Sequence, residues 1–514
     1  MDFKLIHLKS TNCTSLMKNN PQEPQQNPRR TFFKKGLTGV AGSCVGSVLS
    51  IPAVSNSLAA EPSSKGITDD GKDATKILAR YALSTRYEDL PAAVIKQTQR
   101  ALVNFVGVTV GSSRHPAVNI SVESLSLVSG SKQASILGRP ERFDILNATF
   151  INGVASHVFD FDDTHLLTNV HCSGPVASAL LAYSEIKPIS GREFMNAFYL
   201  GIELMCRLSN SIAPNHADIG WHVSGLATLG VAAAIGRLMQ LSEQQMIWAL
   251  GLAASQPVGF RDSFGSMNKS FNPGRAASNG LFAALLAQKN FTSSDQMIEA
   301  RVGWANAVST KHDYHELLDG LGVRFETLKN TYKPFACGVV IHPALDAAIQ
   351  LKNEYNLRPE QIKAVHLRAN PMVLELTGKR TPKTGLEGKF SVYHSVAIAL
   401  LEGRAGERQY SDEAVQRSDT RSLREKIEVE IDPKIPKQSG ELSITTENGQ
   451  VLTKFIDNAL GSLENPMSDA QLDAKFKDLL IGVLPQSKSD ILLRATWHMD
   501  QLDRASKLAR LSVP

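Results

Sequence analysis

Helical periodicity between about residues 74 and 288 limits the fold of this chain more than any other feature. Apolar residues recur at helical spacing after Leu90-Pro91. Ser242 and Gln245 form the pattern of a capping box, which opens a helix. Residues 227–239 are rich in Gly and Ala, which is typical of a helix that packs closely on its neighbours. No repeat of fixed period is present, so a solenoid is excluded.

The pattern changes after about Tyr332. Alternating apolar residues predict strands at 362–367, 426–431 and 442–446, and Asn448-Gly449 predicts a two-residue hairpin turn. Helical patterns intervene at 343–355 and 389–402, the charged stretch 403–422 is expected to be a surface excursion, and a helical pattern returns from residue 469.

These patterns predict a mainly α fold with an inserted α+β module. The large all-helical domain is expected to combine residues 74–330 with residues 466–514, and residues 331–465 are expected to form the smaller inserted domain.

The net positive charge of the chain comes from its first 60 residues. Residues 1–60 hold seven Lys or Arg and two acidic residues, so the rest of the chain has equal numbers of acidic and basic side chains. A neutral body gives no reason to expect nucleic-acid binding.

Residues 1–60 resemble a bacterial twin-arginine signal peptide. Arg29-Arg30 is followed by two phenylalanines, then by a mildly apolar run at 36–54 and by Ser57-Leu58-Ala59, a small-x-small cleavage pattern. Gly, Ser and Pro52 interrupt the apolar run, which falls short of the roughly 20 apolar residues of a membrane span. We expect folded export through the twin-arginine translocase to the periplasm, with no stable membrane anchor.

The densest cluster of reactive side chains lies between His157 and His171. It holds three carboxylates and three imidazoles, namely His157, Asp160, Asp162, Asp163, His165 and His171. Such groups are costly to bury unless they are paired or used, so the cluster predicts a functional site. The three cysteines beyond the leader are widely spaced, which argues against a disulfide framework or a structural zinc site.

Three later stretches carry further candidates. His222 follows Gly220-Trp221 and is either a pocket residue or a hydrogen-bonded core residue. Lys269 and Arg275 precede an apolar helix expected from about Ala276, an arrangement that favours carboxylate or phosphate binding. Lys333 is a further candidate anion ligand.

Taken together, these stretches resemble the MmgE/PrpD family, which includes 2-methylcitrate dehydratase, cis-aconitate decarboxylase and iminodisuccinate epimerase. The resemblance runs from about residue 74 to 500 and is carried by Asn152-Gly153-x4-His157-x2-Asp160-Phe161-Asp162-Asp163-Thr164-His165, His171, Gly220-Trp221-His222, Met267-x-Lys269-x4-Gly274-Arg275 and Lys333-Pro334-Phe335-x-Cys337-x4-His342-Pro343. It implies a helical domain with an inserted lid, a homodimer, an active site between the domains, and no organic cofactor or metal.

The resemblance also implies roles for individual residues. Functional positions of the decarboxylase branch match Asp160, Thr164, His171, His222, Lys269 and Lys333. A further tyrosine of that branch corresponds to His394, with Tyr393 beside it, and we expect both near the substrate.

The chemistry expected from the resemblance is proton abstraction next to a carboxylate of a small di- or tricarboxylate, as in a lyase or isomerase. His171 is the expected acid/base, because imidazole titrates near neutral pH. Asp160 is expected to orient a histidine, and Thr164 to hydrogen-bond the substrate. Lys269, Arg275 and Lys333 are expected to hold its carboxylates, and His157 is expected to be structural.

Three other classes share parts of this pattern. Asp160-Phe161-Asp162-Asp163 fits the Asp-x-Asp-Asp pattern of class II terpene cyclases, although an aromatic content of 6% is low for their pockets. A metal-dependent hydrolase would use side chains of the Asp160–His171 cluster. A non-catalytic periplasmic carboxylate-binding protein would use the same cations without turnover.

Overall fold

The computed structural model describes residues 71–226 and 228–514 and has the mainly α fold predicted from the sequence. The twin-arginine signal predicted for residues 1–60 lies outside the described residues. The helices of the first part of the chain are α1 (Ala74–Ser84), α2 (Ala92–Gly111), α3 (Pro116–Ser126), α4 (Ile145–Val158), α5 (Ser173–Ser184), α6 (Gly191–Ile212), α7 (Thr228–Leu238), α8 (Glu243–Ala254), α9 (Asn268–Gln288), α10 (Trp304–Val308) and α11 (Tyr314–Leu318). Those of the second part are α12 (His342–Glu354), α13 (Met372–Thr377), α14 (Gly385–Gly388), α15 (Val392–Glu402), α16 (Asp412–Gln416), α17 (Ser418–Glu425), α18 (Asp469–Leu480), α19 (Gln486–Trp497) and α20 (Ser506–Leu511).

The helical part shows both the helix cap and the close helix packing predicted from the sequence. The predicted capping box at Ser242 opens α8, with the Ser242 and Gln245 side chains each bonded to the other's backbone nitrogen. In the Gly/Ala-rich helix α7, a Cβ on Gly230 would lie 2.6 Å from the carbonyl oxygen of Gly201 on α6. The tight packing predicted for residues 227–239 is thus confirmed for the described part of that stretch.

Two short strand pairs, β1 (Ala134–Ser135) with β2 (Arg142–Phe143) and β3 (Asp163–His165) with β4 (Asn330–Tyr332), precede a four-stranded sheet in the second half of the chain. The strands of this sheet are β5 (Ile362–Ala369), β6 (Ile427–Ile431), β7 (Gly440–Thr446) and β8 (Val451–Ile456), in the order β6-β5-β7-β8. The β5/β6 pair is parallel and the other two are antiparallel. Gly449 has φ 86°, as the predicted hairpin turn requires. The strand predictions are confirmed, while the domain boundaries at residues 330 and 465 stay predictions.

The stretch 403–422 was expected to be a surface excursion, and this expectation was wrong. A 3-10 helix (Glu407–Tyr410) and helices α16 and α17 occupy most of it, and Ala405, Tyr410 and Val415 are buried. The buried apolar residues are few and are separated by charged ones. The periodicity of the sequence therefore does not indicate which side of these helices is buried. No helix among the described residues is long and apolar enough to cross a membrane.

Two contacts between distant segments position the site. A short antiparallel ladder pairs β3 (Asp163–His165) with β4 (Asn330–Tyr332). Helices α4 and α9 cross where a Cβ on Gly153 would lie 2.6 Å from the Cα of Gly274. Only glycine permits so close an approach, and it brings the end of α4 to the start of α9.

Candidate active site

One cavity of about 350 Å³ collects most of the predicted site residues. Its wall includes six of the residues that the family resemblance identified, namely Asp160, Thr164, His171, His222, Lys269 and Lys333. The β3/β4 ladder brings the segment around Thr164 to the residues just before Lys333. The α4/α9 crossing brings Lys269 to His157 and Asp160. The sequence cluster therefore corresponds to a single site in space.

Asp160 lies at the centre of the charged groups. Its Oδ1 lies 2.7 Å from Nζ of Lys269 and 3.1 Å from Nζ of Lys333. Burial raises the pKa of Asp160, but the two ammonium groups outweigh it and hold this pKa well below its ordinary value. Burial lowers the pKa of Lys269, against the opposing effect of Asp160. Asp160 is therefore a carboxylate that two lysines share.

Hydrogen bonds define the tautomer of His171. Its Nδ1 lies 2.9 Å from the carbonyl oxygen of Asp163, which can only accept, so Nδ1 carries the proton. Nε2 has no hydrogen-bond partner among the described residues, and the side chain lines the cavity. Burial lowers the pKa of His171 well below its ordinary value. The neutral ring thus has an unshared electron pair on Nε2, as a general base requires.

Asp162, and not Asp160, is the carboxylate that orients histidines. Its Oδ2 lies 2.7 Å from Nδ1 of His157 and 3.4 Å from Nδ1 of His171. The role expected of Asp160 was therefore assigned to the wrong aspartate, because Asp160 is turned toward Lys269 and Lys333. Burial raises the pKa of Asp162.

His157 contributes more than the structural role expected for it. Its Nε2 lies 2.7 Å from Nζ of Lys269, which can only donate, so Nε2 accepts and Nδ1 donates to Asp162. Burial, followed by the charge of Lys269, lowers its pKa well below the ordinary value. His157 thus connects Asp162 to Lys269 through two hydrogen bonds.

His222 and Thr164 complete the polar wall. The rings of His222 and His171 have centroids 6.4 Å apart. Nδ1 of His222 faces the side-chain nitrogen of Asn272 at 3.5 Å, which favours a proton on Nε2. Oγ1 of Thr164 lies 3.3 Å from Nδ1 of His171.

Asp163 and His165 belong to the same sequence cluster but have structural partners. Asp163 accepts hydrogen bonds from Ser173 and Asn330, and burial raises its pKa to about 6. Nε2 of His165 lies 3.3 Å from Glu326. Both side chains join β3 to neighbouring elements, and neither lines the cavity.

An aromatic wall faces the charged groups. The rings of Phe264 and Phe390 stack with centroids 5.7 Å apart, and Nζ of Lys269 lies 5.5 Å from the first and 5.8 Å from the second. Arg261 and Lys437 also line the cavity, and Arg261 pairs with Glu375 at 3.3 Å.

Three expected substrate-binding residues do not reach the cavity. Helix α9 begins at Asn268, earlier than expected, so Arg275 lies six residues beyond Lys269, about 240° around the helix, and is exposed. His394 is buried, with its Nε2 2.9 Å from the carbonyl oxygen of Gln409. The Tyr393 ring lies 4.9 Å from the Arg380 guanidinium. The structure corrects the placement of all three.

The histidines and aspartates of the site raise the question of a metal ion. Among the described residues, the nitrogens of His157, His171 and His222 lie within 4.8 Å of one another, as do the ligand atoms of Asp160, Asp162 and His171. Both nitrogens of His157 are engaged, however, and Asp160 is bound by two ammonium groups. A cation here would have to displace Lys269 from these partners, so the donor set fits a metal poorly.

Several residues of the site were not predicted as part of it. The roles of Asp162 and His157 depend on ring orientation, which has no sequence signal. Phe264 and Phe390 lie in loops and enter the cavity through contacts with distant residues. A signal was present for His157 and Asp162, which both belong to the predicted Asp/His cluster.

Comparison with known proteins identifies the family of this chain. The MmgE/PrpD N-terminal domain matches residues 76–317, and the MmgE/PrpD C-terminal domain matches residues 335–500. The chain is similar to cis-aconitate decarboxylase of Homo sapiens, with 27% identity over 86% of this chain and 94% of that protein. It is also similar to the cis-aconitate decarboxylases of Mus musculus (26% identity, 86% and 93% covered) and Aspergillus terreus (23% identity, 85% and 95% covered). The chain therefore belongs to the MmgE/PrpD family and is an enzyme of the lyase class to which these relatives belong.

Proposed function

We propose that this protein is a cofactor-independent lyase or isomerase that removes a proton next to a carboxylate of a small di- or tricarboxylate. The observation that carries the proposal is the free Nε2 of His171 in the same cavity wall as Lys269 and Lys333. A base and two cations in one buried cavity match the demands of carbanion chemistry.

His171 takes the proton in this mechanism. The C–H bond next to the carboxylate breaks, the proton moves to Nε2, and the electron pair delocalises into the carboxylate. The protonated ring is stabilised by Asp162, whose Oδ2 lies 3.4 Å from Nδ1. Positioned acid/base catalysis of this kind contributes about 10²–10⁴-fold in rate.

Lys269 and Lys333 stabilise the charge that develops on the substrate. Both ammonium groups are buried, so their interaction with an anion is stronger than it would be in water. Asp160 shares them, which fixes both ammonium groups in position before the substrate arrives. Preorganised cations of this kind need no rearrangement during the reaction.

The Nε2–H of His222 and the hydroxyl of Thr164 donate hydrogen bonds to the substrate in this mechanism. Each is a donor in the cavity wall, suited to a departing hydroxyl or to a second carboxylate. Dehydration, decarboxylation and epimerisation share the charge stabilisation, and they differ in which group leaves or returns. In a decarboxylation like that of the relatives, the C–C bond to a carboxylate breaks instead, CO₂ leaves while the electron pair stays on carbon, and a protonated His171 gives its proton to that carbon.

A screen by NMR in D₂O tests the proposal. The purified protein is mixed with citrate-like, aconitate-like and amino-succinate acids, and deuterium at the carbon next to a carboxylate is measured. We expect incorporation with the wild-type protein and its loss in His171→Ala. Binding of these acids without deuterium incorporation or product would instead indicate a non-catalytic carboxylate-binding protein.

The metal-dependent hydrolase is separated by a second measurement. Elemental analysis of the purified protein and incubation with a chelator are expected to leave the activity unchanged. A stoichiometric metal whose removal abolishes turnover would overturn the cofactor-independent mechanism.

A further inference from the structure

Four lysines are buried in the described part of the chain, and each of them is hydrogen-bonded to one residue of the segment Phe159–Phe161. Lys269, Lys333, Lys389 and Lys475 each have a hydrogen bond to Phe159, Asp160 or Phe161. Lys269 and Lys333 bind the Asp160 carboxylate and line the main cavity. Lys389 and Lys475 are not among the residues that line this cavity, and the mechanism above gives them no role.

Three successive carbonyl groups each accept a hydrogen bond from a different lysine. Lys389 donates to the carbonyl oxygen of Phe159 at 2.7 Å, Lys333 to that of Asp160 at 2.9 Å, and Lys475 to that of Phe161 at 2.7 Å. Helix α4 ends at Val158, so no regular element fixes this segment from within.

The same two outer lysines also hold the opposite segment of the site. Nζ of Lys389 donates to the carbonyl oxygen of Ala336 at 3.0 Å, and Nζ of Lys475 donates to that of Lys333 at 2.8 Å. The remaining partners are Glu407 for Lys389 and Asn104 for Lys475. Each ammonium group thus uses three donors, and each ties residues 159–161 to residues 333–336.

Asp160 has a backbone conformation that needs such support. Its φ of 49° lies in the left-handed region, which residues other than glycine adopt rarely. Conformations of this kind persist when the surroundings over-determine them. This conformation aims the carboxylate at Lys269 and Lys333.

We propose that Lys389 and Lys475 are positioning residues, which bind the carbonyl groups on either side of Asp160 and thereby hold its carboxylate between Lys269 and Lys333. Neither lysine touches the substrate in this scheme. Only the kinetic part of the test rests on the proposed function, because the position of the Asp160 segment is measurable without a substrate.

The alternative is that these lysines are only buried cations that stabilise the fold. Arg207 provides the matched control, because it is fully buried, pairs with Glu203 at 2.7 Å and binds backbone carbonyl groups within residues 317–324. None of these polar partners lines the cavity. Its removal is expected to cost stability without moving the site.

The test compares Lys389→Met, Lys475→Met and Arg207→Met in the full chain. Amide hydrogen exchange is measured by mass spectrometry on the peptide that spans residues 157–172, together with the unfolding midpoint in urea. We expect this peptide to exchange at least tenfold faster in both lysine variants. In Arg207→Met we expect faster exchange within residues 313–326 only.

Steady-state kinetics complete the test. The substrate is a carboxylic acid into which the wild-type protein incorporates deuterium. We expect kcat to fall about 10²-fold in both lysine variants with KM little changed, since a displaced carboxylate affects charge stabilisation more than binding. Lys389→Gln and Lys475→Gln, which keep a neutral donor, should recover part of kcat, and they replace the Met variants if those fail to fold.

Unchanged exchange of peptide 157–172 in folded lysine variants would overturn the positioning role. The positioning role would also be overturned if the loss of kcat in each lysine variant were proportional to its decrease in urea midpoint and Arg207→Met followed the same relation. If no acid is deuterated by the wild-type protein, the proposed function fails, and the exchange of this peptide still decides the positioning role.

Discussion

Nδ1 of His171 lies 2.9 Å from the carbonyl oxygen of Asp163, which fixes the proton of the ring on the side away from Nε2. The carbonyl belongs to β3, which is itself paired with β4, so the ring orientation follows from the backbone ladder. The base of the proposed reaction is therefore positioned by secondary structure, with Asp162 available to stabilise its protonated form.

His171→Ala is expected to reduce turnover by about 10²–10⁴-fold while fold and carboxylate affinity are kept. The reason is that the variant removes the proton acceptor but leaves Lys269 and Lys333 in place. Deuterium incorporation and ligand titration measure the two properties separately. Near wild-type turnover, or a loss that only follows thermal stability, would contradict the role of His171.

His157→Ala is not a neutral control for this experiment, although the sequence suggested one. His157 accepts a hydrogen bond from Lys269 and donates one to Asp162. A better control is His366→Ala on the sheet, because His366 pairs with Glu430 and is partly exposed. It is expected to leave turnover unchanged.

Lys269→Ala is expected to weaken substrate binding as well as rate. The ammonium group attracts the carboxylates in the ground state and the additional charge in the transition state, so kcat/KM should fall about 10- to 100-fold or more. Lys363→Ala, at an exposed position of β5 that does not line the cavity, is the matched control and should change kcat little. Unaltered affinity in Lys269→Ala would argue against a carboxylate contact at this position.

His394→Gln is expected to preserve turnover and to change the pH dependence of stability. Burial lowers the pKa of His394 to about 4, so the unfolded chain binds this proton at a higher pH than the folded protein does. Stability is thus lost as pH falls from 6.5 toward 4, by about 3 kcal/mol from this group. Urea unfolding at pH 7 and pH 4.5 should show a smaller loss in the variant. A large loss of kcat would instead support the substrate contact expected from the sequence.

Local signals predicted much of the fold, because capping boxes, hairpin turns and helical periodicity depend on neighbouring residues. Ser242 and Asn448-Gly449 are examples. The lysines that hold the Asp160 segment have no such signal. Lys475 is 314 residues from Phe161, and Lys389 is 230 residues from Phe159. Their partners are backbone carbonyl groups, which every residue has, so no residue pattern marks the contact.

Arg275 shows how a local signal can mislead. Asn272-Pro273-Gly274 is typical of a loop, so the helix was expected to begin near Ala276. In the structure Pro273 and Gly274 lie inside α9, where Gly274 permits the contact with Gly153. The requirement for close packing with α4 therefore outweighs the local preference, and Arg275 is turned outward.

The protein is expected to be a homodimer, as the family resemblance implies. Met267, Phe271 and Phe282 recur on one side of α9 and its N-terminus, and each is more than 40% exposed. Phe271→Glu should therefore convert the dimer to a monomer if a second copy covers this side. Light scattering at micromolar concentration measures the mass. A wild-type monomer would contradict the prediction, and Ile491→Glu, at another exposed apolar position, serves as the control.

Export through the twin-arginine translocase is expected from the charge of residues 1–60. Arg29-Arg30 is the feature that the translocase receptor would bind. Because the receptor distinguishes the guanidinium pair from other positive charge, replacing both arginines by lysine should retain the full-length chain in the cytoplasm. Fractionation of a bacterial host, with mass spectrometry of the exported chain, measures location and the new N-terminus, expected near Ala59 or Ala60. The matched control is Lys34→Arg/Lys35→Arg, which keeps the positive charge and the arginine pair and should still be exported. Equal cytoplasmic distribution of the wild-type and lysine-substituted proteins would refute the export signal, and it would leave the proposed chemistry of His171 intact because that chemistry is argued from residues 157–333 alone.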